Sequence, residues 1–512
     1  MRINQKNRII YISFFKYIAF LCFLWGGLYL LPVLMCFFDR SELSYSHYFY
    51  IPAGILVVTG LILYLITGRR QYPGISLYSS RVLILIMWML SILISTVPFM
   101  LLAKVPFLLA LFESTSGLTT TGLTVVDVKA QTHMLLFWRS LLQFVGGAGF
   151  AIIMVTFAGN TSINFAIAES RDEYLVPNIK SSSLIILKLY FTYAIAGIAA
   201  YTLFGMGLFD AINHTFAAVS TGGFSTQVNS IGAWNSVPIE IITIVLMIMG
   251  GTSFLSAYTL SQGNVKAFLK NSEIKLMFFL VIIGFTAIIV SLGSMFYNSV
   301  SKVVRVAVFE SVSAITTTGF STVGYGNWPL SGLFFIIIFM VIGGGTFSTA
   351  GGIKQLRVYI LIKTIIMHLK RQHLPKRRVL MDFFYNGERR QKIDYEQSRS
   401  VAYFTIIYLM LLAIGIIIAL FNNFNLETSV FEIASALGTV GLSLGATSAS
   451  APKPVLIYQI IAMILGRLEI FVVILGFLQL IKDTRNFMFS GKSASQSYEY
   501  PSGPSEQTSK EV

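Results

Sequence analysis

Four short stretches of this chain set hydroxyls and glycine between apolar neighbours. They are Thr120-Thr121-Gly122-Leu123-Thr124, Thr221-Gly222-Gly223-Phe224-Ser225, Thr317-Thr318-Gly319-Phe320-Ser321 and Thr439-Val440-Gly441-Leu442-Ser443. All read Thr-x-Gly-[Leu/Phe]-[Ser/Thr]. They bring no nucleophile and no acid–base pair. What they offer is backbone oxygen, and a ring of carbonyls can replace the water shell of a monovalent cation. Glycine lets the chain visit φ/ψ values closed to other residues, and Thr and Ser surround the turn with short polar side chains.

A fifth match at Thr115–Thr119 shows that the pattern alone does not decide. The flanks do. Nine residues before the key glycine stand Glu113, Glu310 and Glu432, each after a Phe; the second copy has His214, with Asp210 one turn earlier, and the spurious match has Leu108. Roughly 25 residues after it comes Gly146-Gly147, Gly250-Gly251, Gly343-Gly344-Gly345 or Gly466-Arg467. Agreement at several offsets marks an internal repeat. These carboxylates invite a proton-coupling role; a hydrogen bond to nearby backbone or a helix contact is the plainer one.

The elements that must position these turns are membrane helices. The 512 residues are 55% hydrophobic and 12% charged, and mean hydropathy is +0.74. A soluble domain carries about twice that charge. Apolar spans lie near 10–37, 50–67, 82–103, 133–157, 182–206, 236–260, 275–297, 330–367, 400–421 and 454–481, ten candidate crossings. Stretches at 106–118, 207–219, 303–316 and 428–438 are too short to cross and read as re-entrant. The expected fold is an all-α integral membrane protein with two leading transmembrane helices and four helix–pore-loop–helix repeats around one ion pathway. In total it has ten transmembrane helices and four half-membrane pore helices. The units are 1–80, 81–180, 181–272, 273–398 and 399–488, with a disordered cytoplasmic tail at 489–512. Non-helical backbone at membrane depth must be buried in protein or line a water-filled cavity, so the four turns are expected around a common axis. The short helices then aim their partially negative C-termini at a cation.

Net charge is +15. Arg69 and Arg70, then Lys266, Lys270 and Lys275, then His368–Arg378, then Lys482 and Arg485 fall in alternate loops. The positive-inside rule makes those loops and both termini cytoplasmic. The same run, with Lys370, Arg371, Lys376, Arg377 and Arg378, also suits an acidic regulatory partner; no nucleic-acid partner is expected. The basic start precedes an apolar run too long for a signal-peptide core. Cys22 and Cys36, about 21 Å apart along one helix, do not bridge. Five scattered His with two Cys suggest no metal site, and no catalytic constellation is present.

The ten residues Gly343–Gly352, with Thr346, Ser348, Thr349 and Gly351 among them, interrupt the span 330–367. Two readings are open: a closely packed small-residue helix, or a loop obstructing the path below the turns and forming a gate within repeat 273–398. It is no phosphate loop, lacking Gly-Lys-[Ser/Thr] and a preceding strand. Lys354 follows as gate anchor or cytoplasmic edge. Arg467 lies thirteen residues into the last span, about 20 Å deep, and an ionisable residue at such depth is functional by default. Below a cation site it would oppose dwelling there, or pair with oxygens of the loop; a structural Arg satisfied by helix ends is the alternative. An Arg467–Glu469 pair is not expected.

"TTTGLT", "STGGFS", "TTTGFS" and "GTVGLS", with "GGGTFSTAGGIK" and "GRLEIF", resemble the Trk/Ktr/HKT superfamily of potassium transporters. The two leading helices resemble its TrkH type. The resemblance implies K⁺ as transported ion with no organic cofactor, a homodimer in the bacterial inner membrane, and a cytosolic nucleotide-binding regulatory subunit of TrkA type. Gly122, Gly223, Gly319 and Gly441 match the family's filter glycines, and Thr121, Gly222, Thr318 and Val440 are the expected K⁺ positions. Relatives that pass mainly Na⁺ carry Ser at the first glycine, so Gly122 favours K⁺. The uneven set Thr, Gly, Thr, Val before the glycines predicts a less selective ring than a fourfold-identical channel. The alternative function is Na⁺-permeable or ion-coupled (K⁺/H⁺ or K⁺/Na⁺) secondary transport.

Overall fold

The computed structural model describes residues 5–68, 77–149, 179–293, 299–373, 382–386 and 389–489. Residues 490–512 of the expected tail, 150–157 of the span 133–157, Arg69, Arg70, and Lys376 to Arg378 lie outside them.

Among the described residues, six helices are long and apolar enough to cross a bilayer: Phe14–Phe37, His47–Thr67, Ser80–Leu101, Ser183–Leu203, Ser272–Leu292 and Tyr395–Phe421. Their outward faces are apolar; Leu65, Ile195, Ile282 and Leu203 are all exposed. In water such a surface would aggregate; in a bilayer it is the required one.

Two expected spans are corrected. The region 236–260 is a helix Val237–Gly251 that turns by 111° into Phe254–Ser261, and 454–481 is Lys453–Leu468 turning by 105° into Ile470–Arg485. The span 330–367 divides into Leu330–Ile342 and Gln355–Gln372. In the first repeat, helix His133–Phe144 passes into a π-turn over Val145–Gly149. The second, third and fourth copies therefore break the helix after the turn near their second glycine element, and the first changes from α to π winding there. The all-α expectation also needs amendment. Phe383–Asn386 and Arg389–Lys392 form an antiparallel hairpin, and Phe384 buries against Ile360, Ile393 and Val401.

The four short helices are Phe107–Leu118, Leu208–Val219, Val300–Ile315 and Leu426–Leu437. Apolar side chains hold them between the long helices. Trp25, Tyr29, Trp88 and Trp138 join the leading helices to Phe112, Leu437 and Met463. Leu280 and Phe339 pack with Phe431 and Val440. Tyr201 and Met247 pack with Ala217 and Phe309. Each cluster spans more than one repeat, so the repeats share a core rather than folding as separate bundles.

Candidate functional site

Each short helix ends in the same way. The N–H of Thr120, Thr221, Thr317 and Thr439 donates three residues back, to Gly117, Ala218, Ala314 and Ala436. The next N–H, of Thr121, Gly222, Thr318 and Val440, donates five back, to Ser116, Ala217, Ser313 and Ser435. This is the bonding of a Schellman cap, whose first residue beyond the cap is left-handed and usually Gly. Here it is Thr, at φ of 56°, 52°, 52° and 49°. A β-branched residue there is a true outlier, and such strain clusters at functional sites.

The glycine two residues on is also left-handed: φ is 91° at Gly122, 72° at Gly223, 83° at Gly319 and 95° at Gly441. A methyl group on Gly122 would lie 2.2 Å from the Gly222 carbonyl oxygen. On Gly223 it would meet Thr318 O at 2.1 Å, on Gly319 Val440 O at 1.8 Å, and on Gly441 Thr121 O at 2.2 Å. The four relations close a cycle, each glycine packed against the preceding-residue carbonyl of the next repeat. Leu123, Phe224, Phe320 and Leu442 turn away and are buried.

Behind each turn, the polar residue nine positions back holds the outgoing strand. Glu113 accepts from Thr124 Oγ1 at 2.8 Å and Val125 N at 3.0 Å. Glu310 accepts from Thr322 N and Oγ1, both at 2.8 Å, and from the Tyr325 hydroxyl. Glu432 accepts from Ser443 Oγ at 2.7 Å and Leu444 N at 2.9 Å. His214 Nε2 pairs with Ser225 Oγ at 2.8 Å, and Thr226 bonds Asp210. These groups hold backbone and hydroxyls, the plainer of the two expected roles.

The interruption in the third repeat packs against the threonines of the turns. Thr349 Oγ1 donates to Gly250 O at 2.8 Å and accepts from Thr221 Oγ1 at 3.0 Å. The Gly351 N–H donates to Thr317 Oγ1 at 2.8 Å. A methyl on Gly351 would lie 2.1 Å from Thr439 Oγ1. Three of the four turns thus touch residues 349–351. The segment between the two half-helices is not helical, so the closely packed helix reading does not hold. Gly343 and Gly352 form its crossing point: a methyl on Gly343 would meet Gly351 O at 2.1 Å. Gln355 closes the base, donating from N to Gly344 O and from Nε2 to Gly343 O. Gly345 N bonds Gly251 O, Thr346 N bonds Glu273, and Ser348 Oγ bonds Gly345 O. Lys354 Nζ reaches back to Ala350 O at 3.1 Å.

Arg467 lies in the last turn of helix Lys453–Leu468, beside the bend rather than within an unbroken span. Its Nη1 donates to Thr349 O at 2.5 Å, and its Nη2 to Gly146 O at 2.6 Å and to Gly147 O. The guanidinium therefore joins the first, third and fourth repeats. Glu469 pairs with Arg357 Nη2 at 2.6 Å instead.

The sequence model of TrkH, described as a cation transport protein, matches residues 75–488. The chain belongs to the TrkH family. It is 31% identical over 450 residues to the Trk system potassium uptake protein TrkG of Escherichia coli, covering 83% of this chain and 90% of that protein. It is 27% identical over 484 residues to Escherichia coli TrkH, covering 90% and 97%. The crystal structure of the potassium transporter TrkH from Vibrio parahaemolyticus superposes with a TM-score of 0.80 at 25% identity, over 91% of this chain and 98% of that one. Family membership makes this a multi-pass membrane transport protein, not an enzyme.

Some residues around the TrkH-family ring escape sequence patterning. Arg139 Nε bonds Glu113 at 2.8 Å, its Nη1 bonds Ser225 O at 3.2 Å, and the guanidinium lies over the Phe224 ring. Gln143, one turn on, reaches the second turn. The available signal was a polar pair four apart inside an apolar run, which places both on one helix face. Asp39, Glu42 and His133, which suggest no grouping in the sequence, hold their ligand atoms within 4.8 Å of one another. Spacing cannot reveal residues 91 apart. Glu42 is already occupied, accepting from His133 N, His133 Nδ1 and Met134 N at the start of a helix.

Proposed function

We propose that this chain mediates K⁺ uptake across a bacterial inner membrane through the ring of four turns. Thr121, Gly222, Thr318 and Val440 present their carbonyl oxygens to the dehydrated ion. The observation that carries this reading is the closed cycle of glycine-to-carbonyl approaches around the four repeats. Four helix C-termini facing one axis add a negative potential suited to a cation and unsuited to an anion. The ten-crossing architecture with four half-membrane helices, in the units read from the sequence, accounts for the bends and interruptions.

Loop 343–352 acts as the gate. It lies against the threonines of the turns, and Arg467 holds it closed while opposing a cation there. Opening requires the loop to leave Thr221 and Thr317 and the guanidinium to leave Thr349. Both termini are cytoplasmic, two copies form a homodimer, and a nucleotide-binding subunit of TrkA type acts from the cytosolic side.

The test is ionic. Gly122→Ser places a side chain 2.2 Å from the Gly222 oxygen on a left-handed backbone, so that oxygen must move. Reconstituted in liposomes with imposed gradients, the wild type passes K⁺ and ⁸⁶Rb⁺ in preference to Na⁺, and Gly122→Ser raises Na⁺ relative to K⁺. An unchanged ratio removes the ring from ion selection.

A further inference from the structure

The ring is uneven in its side chains, and Gln143 compensates at its weakest member. In the first turn, Thr121 Oγ1 is pinned to Thr119 Oγ1 at 2.8 Å; in the third, Thr318 Oγ1 is pinned to Thr316 Oγ1 at 2.8 Å. In the fourth, Val440 is fully buried in an apolar cluster. Gly222 has no side chain to anchor, and Gly223 follows it. Two consecutive glycines give the chain its greatest backbone freedom, at a point where a carbonyl must keep a fixed radius.

Gln143 fills the space where a side chain on Gly222 would stand. A methyl on Gly222 would lie 2.4 Å from Gln143 Cδ. The amide is wholly buried and grips the turn on both sides: Nε2 donates to Gly222 O at 2.6 Å, and Oε1 accepts from Phe224 N at 3.1 Å. A carbonyl needs a donor and an N–H needs an acceptor, so the partners leave one amide orientation. The bound oxygen is the one that approaches Gly122 in the cycle. A carbonyl oxygen has two lone pairs; one takes the amide and one is left for an ion.

We propose that Gln143 is a specificity-determining positioning residue: it holds the Gly222 carbonyl at the radius that suits K⁺ and keeps the second turn from closing around a smaller ion. This rests on the reading of the ring as the ion-selecting element. Without the amide, the Gly222-Gly223 turn can draw inward onto Na⁺ while the other three turns keep their anchors.

The experiment measures Na⁺ against K⁺ permeation of the full-length protein in proteoliposomes for wild type, Gly122→Ser, Gln143→Leu, Gln143→Glu and the double variant Gln143→Ala/Gly222→Thr. The leucine removes both bonds at similar volume. The carboxylate can still accept from Phe224 N but cannot donate to Gly222 O. Either raises the Na⁺-to-K⁺ ratio about fivefold, the scale of one lost hydrogen bond. The double variant replaces the amide by a hydroxyl two residues from Ser220, the spacing of the Thr119–Thr121 and Thr316–Thr318 pairs, and returns the ratio toward wild type. Should the leucine variant fail to insert, the isosteric Gln143→Glu carries the comparison.

Flux lowered equally for both ions, at unchanged ratio, assigns Gln143 to packing alone and overturns the proposal. If Gly122→Ser shifts the ratio and the Gln143 variants do not, the ring reading stands and this inference falls. If none shifts it, both fall together.

Discussion

The backbone N–H of Gly351 donates to the hydroxyl of Thr317 at 2.8 Å, so loop 343–352 is bonded directly to the left-handed threonine of the third turn. Thr349 makes the matching bond with Thr221 at 3.0 Å. The hydroxyls of Thr120 and Thr439 are buried and have no hydrogen-bond partner among the described residues. Two hydroxyls of an otherwise fourfold set are thus engaged by the loop. The loop and a cation approaching from the turns would compete for the same oxygens.

Thr317→Val tests the engagement with little change of shape. Both side chains are β-branched, so the left-handed backbone is no worse served, and only the acceptor is lost. A net hydrogen bond contributes about 1 kcal/mol, so resting ⁸⁶Rb⁺ flux in proteoliposomes rises by roughly fivefold. Gly351→Ala acts more strongly: its methyl would fall 2.1 Å from Thr439 Oγ1 and 2.4 Å from Gly438 O. The second contact is backbone and cannot rotate away, so the loop must lift and the leak exceeds that of Thr317→Val.

Arg467 satisfies three carbonyls on two other repeats. Arg467→Ala leaves them without that donor, at about 1–3 kcal/mol each where no water replaces it, and removes the positive charge. Flux at rest increases for every permeant cation. Arg467→Lys keeps the charge but lacks the planar fork that reaches Thr349 and Gly146-Gly147 together, so it restores less than half of the closure. A lysine variant indistinguishable from wild type would show that charge alone, not the three-way bond, keeps the loop closed.

The turns and their short helices were legible in the chain because the same residues recur at the same offsets in four copies. Their caps then folded alike, down to the partner carbonyls at Gly117, Ala218, Ala314 and Ala436. The glycine elements at Gly250-Gly251 and Gly466-Arg467 mark where the bends fall, but not their size, because apolar helix-forming residues resume on both sides. A break at Glu469 depends on its left-handed backbone, φ 63°, which no pattern announces. Gln143 was hidden for another reason: its partner Gly222 is 79 residues away, and only the closed ring brings them together. The hairpin at 383–392 is short and highly charged, and its buried anchor among the described residues, Phe384, has no periodic companion there.

Glu113 and Arg139 form an ion pair with side chains at most 2% exposed. Removing one member leaves an uncompensated buried charge, so Glu113→Gln or Arg139→Gln destabilises by about 3–5 kcal/mol. The double replacement Glu113→Gln/Arg139→Gln leaves neutral groups able to bond each other, and it is milder than the sum. Thermal unfolding in detergent of the two single variants and the double variant measures the difference. Strict additivity would mean that the carboxylate serves only Thr124 and Val125.

Arg357 and Glu469 join the helix that leaves the loop to the bend that follows Arg467, at 2.6 Å with both side chains largely buried. Arg357 also stacks on Phe404, 4.1 Å from the ring centre. The pair therefore ties the helix after loop 343–352 to the bend beside Arg467, the two structures proposed to close the path. Two substitutions at one position separate its roles. Glu469→Gln removes the charge and keeps a side chain on a left-handed backbone. Glu469→Gly also removes the charge but relieves the backbone strain, by about 1 kcal/mol. If the ion pair is what matters, both raise resting flux alike, and Arg357→Gln added to either changes little more. Coupling of about 1–3 kcal/mol is expected from the Arg357/Glu469 double-mutant cycle. If instead the bend itself is the sensitive element, Glu469→Gly stabilises it and stays closed while Glu469→Gln leaks. The ranking of the two variants in one flux assay decides between them.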